Sequence, residues 1–209
     1  MGSIRAFNIS ELKQTYDLDI FVETGTYLGE GTFHAINANF PIIHTIEIDK
    51  EYYFKACKKF HGHPQVDIHL GSSHDLIDSL LASFSDQDIN TLFWLDAHFP
   101  LADKGEVPYN YTKNPNERMP IIDELTSIVS QRSRSGRFKD VIIIDDLRCF
   151  VDDPRIPSSS FDDHMKSLGL RGNGCNRANV VGVTLDDILA VTAGYFIPRL
   201  IFKDEGYIL

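Results

Sequence analysis

A chain of 209 residues with 43% apolar and 24% charged side chains has the composition of a folded protein, and its length suffices for one sizeable core. Thirty acidic against twenty basic residues leave a formal charge of −10, which repels phosphate backbones and anionic lipid and argues against a nucleic-acid or membrane partner. Cys57, Cys149 and Cys175 are scattered without CxxC spacing, which suits neither a disulfide framework nor a zinc knuckle.

The N-terminus, MGSIRAFNIS, has no apolar signal core, and no run of 18 apolar residues follows. The scattered cysteines make a reducing cytoplasm the expected compartment. "NISELKQTYD" reads as a leading helix capped by Ser10. Short runs rich in Ile, Val and Phe then recur at 18–23, 42–48, 66–70, 91–96 and 141–146 and read as buried strands. Segments of helical character alternate with them, which predicts an α/β fold with a mostly parallel sheet and helices on both faces. A helix from Thr184 and two terminal strands joined by a turn at Asp204 to Gly206 complete a single domain over residues 1–209, with about seven strands. Two irregular segments, 99–119 and 148–179, follow strands four and five. Long loops at that position read as lids over a ligand.

The first strand ends in "FVETGTYLGEG", with Glu23, Gly25, Gly29 and Gly31. Glycines in the first strand-to-helix turn let backbone amides approach a ligand. The spacing lacks the full G-x-G-x-x-G of a pyrophosphate site, and Glu23 would repel phosphate, preferring a cation or a hydroxyl donor. A tight turn with Glu23 capping the next helix is the plainer alternative. Glu47, 24 positions on at the end of strand two, suits ribose hydroxyls, and Asp49 suits a helix cap. The third strand ends in "LGSSHD", where Gly71, Ser72 and Ser73 can face an adenine edge or simply begin a helix.

In register, these strand ends resemble the class I S-adenosylmethionine-dependent methyltransferases, and among them the catechol O-methyltransferase-like group. The E-x-G-x-Y-x-G motif of that group is matched by Glu23, Gly25, Tyr27 and Gly29, its T-x-E-I stretch by the segment holding Glu47, and its adenine segment by "GSSHD". The resemblance implies a Rossmann-like three-layer sandwich whose last strand is antiparallel. It also implies S-adenosylmethionine as cofactor. Glu23, Thr24, Gly25, Thr26, Tyr27 and Gly29 would hold its methionine end, Glu47 and Ile48 the ribose, and Gly71, Ser72 and Ser73 the adenine.

"FWLDAHF" places Asp96 and His98 at the end of strand four, and "IIIDDLR" places Asp145 and Asp146 at the end of strand five. Adjacent strands would crowd three carboxylates, which calls for protons or a cation. Hard oxygen ligands suit Mg²⁺ or another divalent ion. In the family the metal is held by an Asp after strand four and an Asp-Asn pair after strand five, so Asp96, Asp145 and Asp146 fall on the metal positions, with Asp96 also bordering the cofactor. Asp in place of Asn at 146 looks more like the sugar O-methyltransferases of antibiotic pathways. His98 is the candidate general base; metal ligation or a structural role are its alternatives. Arg148 would orient a polar substrate or form a surface ion pair. Trp94 reads as core.

The expected activity is therefore metal-assisted O-methylation of a small hydroxylated acceptor such as a sugar or natural product, with oligomeric state open and a homodimer among the options. A metal-dependent hydrolase built on Asp96, His98, Asp145 and Asp146 is a rival, and a noncatalytic cofactor-binding module is another. A nicotinamide dehydrogenase is disfavoured by the broken glycine pattern.

Overall fold

A computed structural model describes residues 3–84, 89–98, 118–135, 139–151, 182–201 and 206–209. The expected lid-like loops fall mostly outside these residues, as do Cys175 and most of the 204–206 turn. After a short 3-10 helix (Ile4–Ala6), the elements are α1 (Ile9–Tyr16), β1 (Leu18–Thr24), α2 (Glu30–Asn37), β2 (Ile42–Glu47), α3 (Lys50–Phe60), β3 (Val66–Leu70) and α4 (Ser73–Ala82). There follow β4 (Asn90–Leu95), α5 (Ile121–Ser135), β5 (Val141–Ile144), α6 (Leu147–Phe150), α7 (Leu185–Thr192), β6 (Leu200–Ile201) and β7 (Tyr207–Ile208). The leading helix is capped by the Asn8 side chain, which accepts from the Glu11 N–H, rather than by the expected Ser10.

The seven strands form one sheet in the order β3-β2-β1-β4-β5-β7-β6. β1 to β5 pair in parallel, and β7 runs against both of its neighbours. This is the Rossmann-like sandwich with an antiparallel last strand. The order in which successive strands are added reverses between β1 and β4, and the C-terminal ends of strands at such a switch point are where open α/β sheets form a ligand crevice.

Alternation along the strands assigns the two apolar layers. Ile20, Val22, Phe93, Leu95, Ile142 and Ile144 pack with Ile77, Leu80 and Leu81 of α4, Leu125 and Ile128 of α5 and Ile188 of α7. Phe21, Ile43, Leu92, Trp94 and Ile143 face the other way, against Ile4, Ile9, Ala35 and Phe40. Tyr207 joins this second layer, its ring edge-on to Phe7 and its hydroxyl bonded to both backbone groups of Ser3. One expectation fails here. The run 66–70 was expected to be buried, but β3 is the sheet's edge and its side chains are half-buried or exposed, because only one neighbour covers it.

A buried ion pair ties the base of the sheet. Arg132 donates from Nε to Asp140 Oδ2 at 2.6 Å and from Nη2 to Oδ1 at 2.8 Å, and both residues are nearly inaccessible. Asp140 Oδ1 also accepts the Thr91 N–H at 2.7 Å, so the pair joins α5 to the starts of β4 and β5. Removing one partner would strand a buried charge. Asp140→Ala should therefore lower the unfolding free energy by about 3–5 kcal/mol, read from urea midpoints, while Arg132→Met/Asp140→Leu should recover part of that loss.

Two buried carboxyls flank β1, one on each face of the sheet. Glu23 is 2% exposed and Glu124, on α5, is 1% exposed. Burial raises each to about 7, opposed for Glu23 by the Thr32 and Thr45 hydroxyls and for Glu124 by those of Ser73 and Thr24. A raised folded-state pKa means that the native protein holds these protons while the unfolded chain has lost them. Stability should therefore fall as pH rises from about 4.5 to about 7, by roughly 3 kcal/mol per group. Glu124→Gln cannot ionise, so its stability relative to the parent should rise between pH 5 and pH 8 in urea titrations; a constant difference would refute the assignment.

Candidate functional site

The crevice is built on the turn after β1. The N–H groups of Gly25 and Thr26 both donate to Ile46 O, at 3.0 and 3.3 Å, which fastens the turn to the end of β2. Gly25 has φ +83°, and a Cβ there would lie 2.7 Å from the Asp96 carbonyl oxygen. Glycine at this point lets the ends of β1 and β4 close up. Gly29, at φ +70°, starts α2, and a Cβ on it would meet the Phe60 ring at 2.6 Å. Tyr27 takes φ +45° without being glycine, and its ring lies against Tyr52 at 4.7 Å between centroids.

Glu23 lies beneath this turn. Its Oε2 accepts from Thr32 Oγ1 at 2.6 Å and Thr45 Oγ1 at 2.8 Å, so the hydroxyl donors that its position called for come from the protein. Thr45 spends its single proton on Glu23, so Thr26 is the donor across the 2.5 Å contact to Thr45. Gly31 gives the carboxylate its space: a Cβ there would be 2.1 Å from Glu23 Oε1. Thr24, fully buried, ends β1 on the opposite face.

Glu47 joins three turns. Its Oε2 accepts the Tyr27 N–H at 2.7 Å, its Oε1 accepts the Asp49 N–H at 2.8 Å, and its backbone carbonyl accepts the Gly71 N–H at 2.9 Å. Burial pushes its carboxyl above the usual value, while the two amides oppose the shift. Each oxygen keeps a further lone pair for a ligand hydroxyl. Ile48, half exposed, follows directly. Asp49 is a helix cap, its Oδ1 accepting from the Glu51 and Tyr52 N–H groups. Ser72 precedes α4 without a side-chain cap bond, and Ser73 turns inward, where it meets Glu124.

Across the crevice, the Asp96 N–H donates to Thr24 O and the Asp145 N–H to Leu95 O, which continues the sheet's pairing past the strand ends. Ligand atoms of Asp96, His98 and Asp146 lie within 4.8 Å of one another. Asp145 is not in that group. It is buried, and its Oδ1 accepts the N–H of Asp146, the residue that takes the left-handed turn at φ +63°. Arg148 pairs through Nη1 with Asp146 Oδ1, and both are buried. The ion pair expected at the surface is thus internal, and one of the crowded negative charges already has a partner.

Sequence reasoning missed Thr32, Thr45 and Glu124. Glu124 was detectable in principle, since it falls on the apolar stripe of Ile121, Leu125 and Ile128. The two threonines carry no spacing signal, because they meet Glu23 only through strand pairing and the packing of α2.

No protein-family model matches the sequence, and no curated protein shows significant similarity to it. Solved structures do resemble it. A Staphylococcus aureus protein assigned as a caffeoyl-CoA O-methyltransferase aligns over 100% of this chain and 82% of its own, with a TM-score of 0.57 and 13% identity. The O-methyltransferase TomG of Streptomyces achromogenes, involved in tomaymycin synthesis and solved with S-adenosylmethionine, aligns over 96% of this chain and 75% of its own, with a TM-score of 0.52 and 13% identity. An O-methyltransferase from Bacillus cereus, solved with S-adenosylhomocysteine, aligns over 100% and 80%, with a TM-score of 0.55 and 12% identity. The chain therefore has the fold of the class I S-adenosylmethionine-dependent O-methyltransferases.

Proposed function

We propose that the protein is an S-adenosylmethionine-dependent O-methyltransferase acting on a small hydroxylated acceptor in the cytoplasm. The observation that carries this reading is the Glu47 carboxylate, held by two backbone amides at the switch point beside the Gly25 turn, which is bonded to Ile46 O at the end of β2 and packed against the Asp96 carbonyl at the end of β4. A fixed carboxylate beside a glycine-lined turn suits a ribose diol and a cationic amino-acid end better than it suits a pyrophosphate. Bound there, the cofactor supplies an electrophilic methyl group.

The chain's own residues do the rest. Glu47 accepts the ribose hydroxyls, Ile48 covers the sugar, and Gly71 with Ser72 borders the base, Ser73 being turned inward toward Glu124. Glu23 with its threonines fixes the shape of the turn from Thr24 to Gly29 that receives the methionine end. His98 takes the proton of the acceptor hydroxyl, and holding the acceptor in line contributes most of the acceleration. The donor set of Asp96, His98 and Asp146 fits a divalent ion, which would supply positive charge to the acceptor side of the crevice. An imidazole in the set, with Asp145 turned to the backbone, suits Mn²⁺ or Zn²⁺ better than the Mg²⁺ expected from three carboxylates. Arg148 holds Asp146 in place. With a metal bound, His98 would be a ligand instead of the base, and its proximity to Asp96 and Asp146 supports that second reading.

Calorimetric titration with S-adenosylmethionine, with NAD as control, is the direct test. Selective micromolar binding is expected, and Glu47→Gln should weaken it about 10–100-fold, the equivalent of one hydrogen bond to a charged group. Absence of binding, together with metal-stimulated hydrolysis of ester or phosphoester probes, would install the hydrolase reading instead.

If His98 is the base, His98→Ala should lower turnover by about 10²–10⁴-fold with cofactor affinity unchanged, and the loss should not be restored by excess Mn²⁺. Recovery with added Mn²⁺ would make His98 a ligand.

A further inference from the structure

A second cluster of ligand-type side chains lies at the sheet's edge, on β2 and β3. His44 pairs in register with Asp67, and Ile46 with His69, so His44, Asp67 and His69 project from one face of two adjacent strands. His44 Nδ1 lies 3.2 Å from His69 Nε2 and 3.9 Å from Asp67 Oδ2, and His69 Nε2 lies 3.6 Å from the same Asp67 oxygen. The three atoms form a compact triangle.

Zinc binds nitrogen and carboxylate oxygen at about 2.0–2.2 Å, so ligand atoms at tetrahedral angles stand about 3.3 Å apart. The observed edges of 3.2, 3.6 and 3.9 Å approach that triangle. We propose that His44, Asp67 and His69 form a tridentate site for a zinc-like divalent ion, which clips the edge strand β3 to β2 and leaves the fourth position to water. Two imidazoles and one carboxylate are donors that suit Zn²⁺, Co²⁺ or Ni²⁺ rather than Mg²⁺.

The surroundings suit such a site. The His44 ring is stacked on Phe84, 6.0 Å between centroids and 5° from parallel, which fixes its orientation. Metal binding would move the shared proton of the His44–His69 contact to a far ring nitrogen or to solvent. Asp67 is largely exposed, which provides an entry path. An ion here would stiffen β3, an edge strand held by one neighbour, close to where it leads into Gly71 of the crevice.

The test uses tag-free full-length protein carrying Asp96→Asn and His98→Ala, so that the crevice cluster cannot answer for the edge. Stripped of metal and titrated with Co²⁺, this protein should take up one equivalent with the intense visible bands of four-coordinate cobalt, displaced by Zn²⁺. Adding His69→Ala should weaken uptake more than about 100-fold, beyond the loss usual for an outer-shell change. Where that variant does not fold, Asp67→Asn, at an exposed position, should weaken uptake at least about 10-fold. Absence of the cobalt spectrum, or a spectrum unchanged by these substitutions, would overturn the site and leave an ordinary histidine pair.

Discussion

The crevice depends on two consecutive residues at the end of β2. Ile46 O takes the N–H groups of Gly25 and Thr26, Glu47 O takes that of Gly71, and the Glu47 carboxylate takes those of Tyr27 and Asp49. Backbone donors from three separate turns thus converge on one strand end. Buried amides must find acceptors, and here that requirement also sets the shape of the crevice. A carboxylate held this way loses little freedom on meeting ligand hydroxyls, which is the physical sense in which the position is preorganised.

The opposite wall follows a different rule. Three carboxylates end β4 and β5, and the fold separates their tasks. Asp145 turns to the backbone, Asp146 meets a buried guanidinium, and Asp96 stays accessible beside His98. Leaving any of these charges without a partner inside the protein would cost several kcal/mol. Each burial is matched by a donor, and the residual ligating capacity is concentrated on Asp96, His98 and Asp146.

Beneath the crevice the protein keeps two protonatable carboxyls, Glu23 and Glu124, on either face of β1. The Thr32 and Thr45 hydroxyls that donate to Glu23, and the Ser73 hydroxyl near Glu124, belong to the elements that line the site. The floor of the crevice is therefore polar but closed to solvent, and the glycine at position 31 exists to admit one of these groups.

Element order and the parallel core follow from the residues in chain order, because Ile-, Val- and Phe-rich runs punctuated by Gly, Asp and Glu are local signals. The sequence also placed Glu23, Glu47, Asp96, His98, Asp145 and Asp146 at strand ends correctly. It could not tell which way each side chain turns. Glu23 faces α2 rather than the crevice, because it alternates with Val22 along β1. Asp145 turns its Oδ1 to the N–H of Asp146, while His98 lies beside Asp96 and Asp146, an arrangement in which the left-handed turn at Asp146 takes part. β3 is half exposed rather than buried, because edge position is a property of strand order, which no local run encodes. The joining of His44 to His69, and of Arg132 to Asp140, likewise required the tertiary structure: register and helix packing, not spacing along the chain, bring these groups within bonding distance.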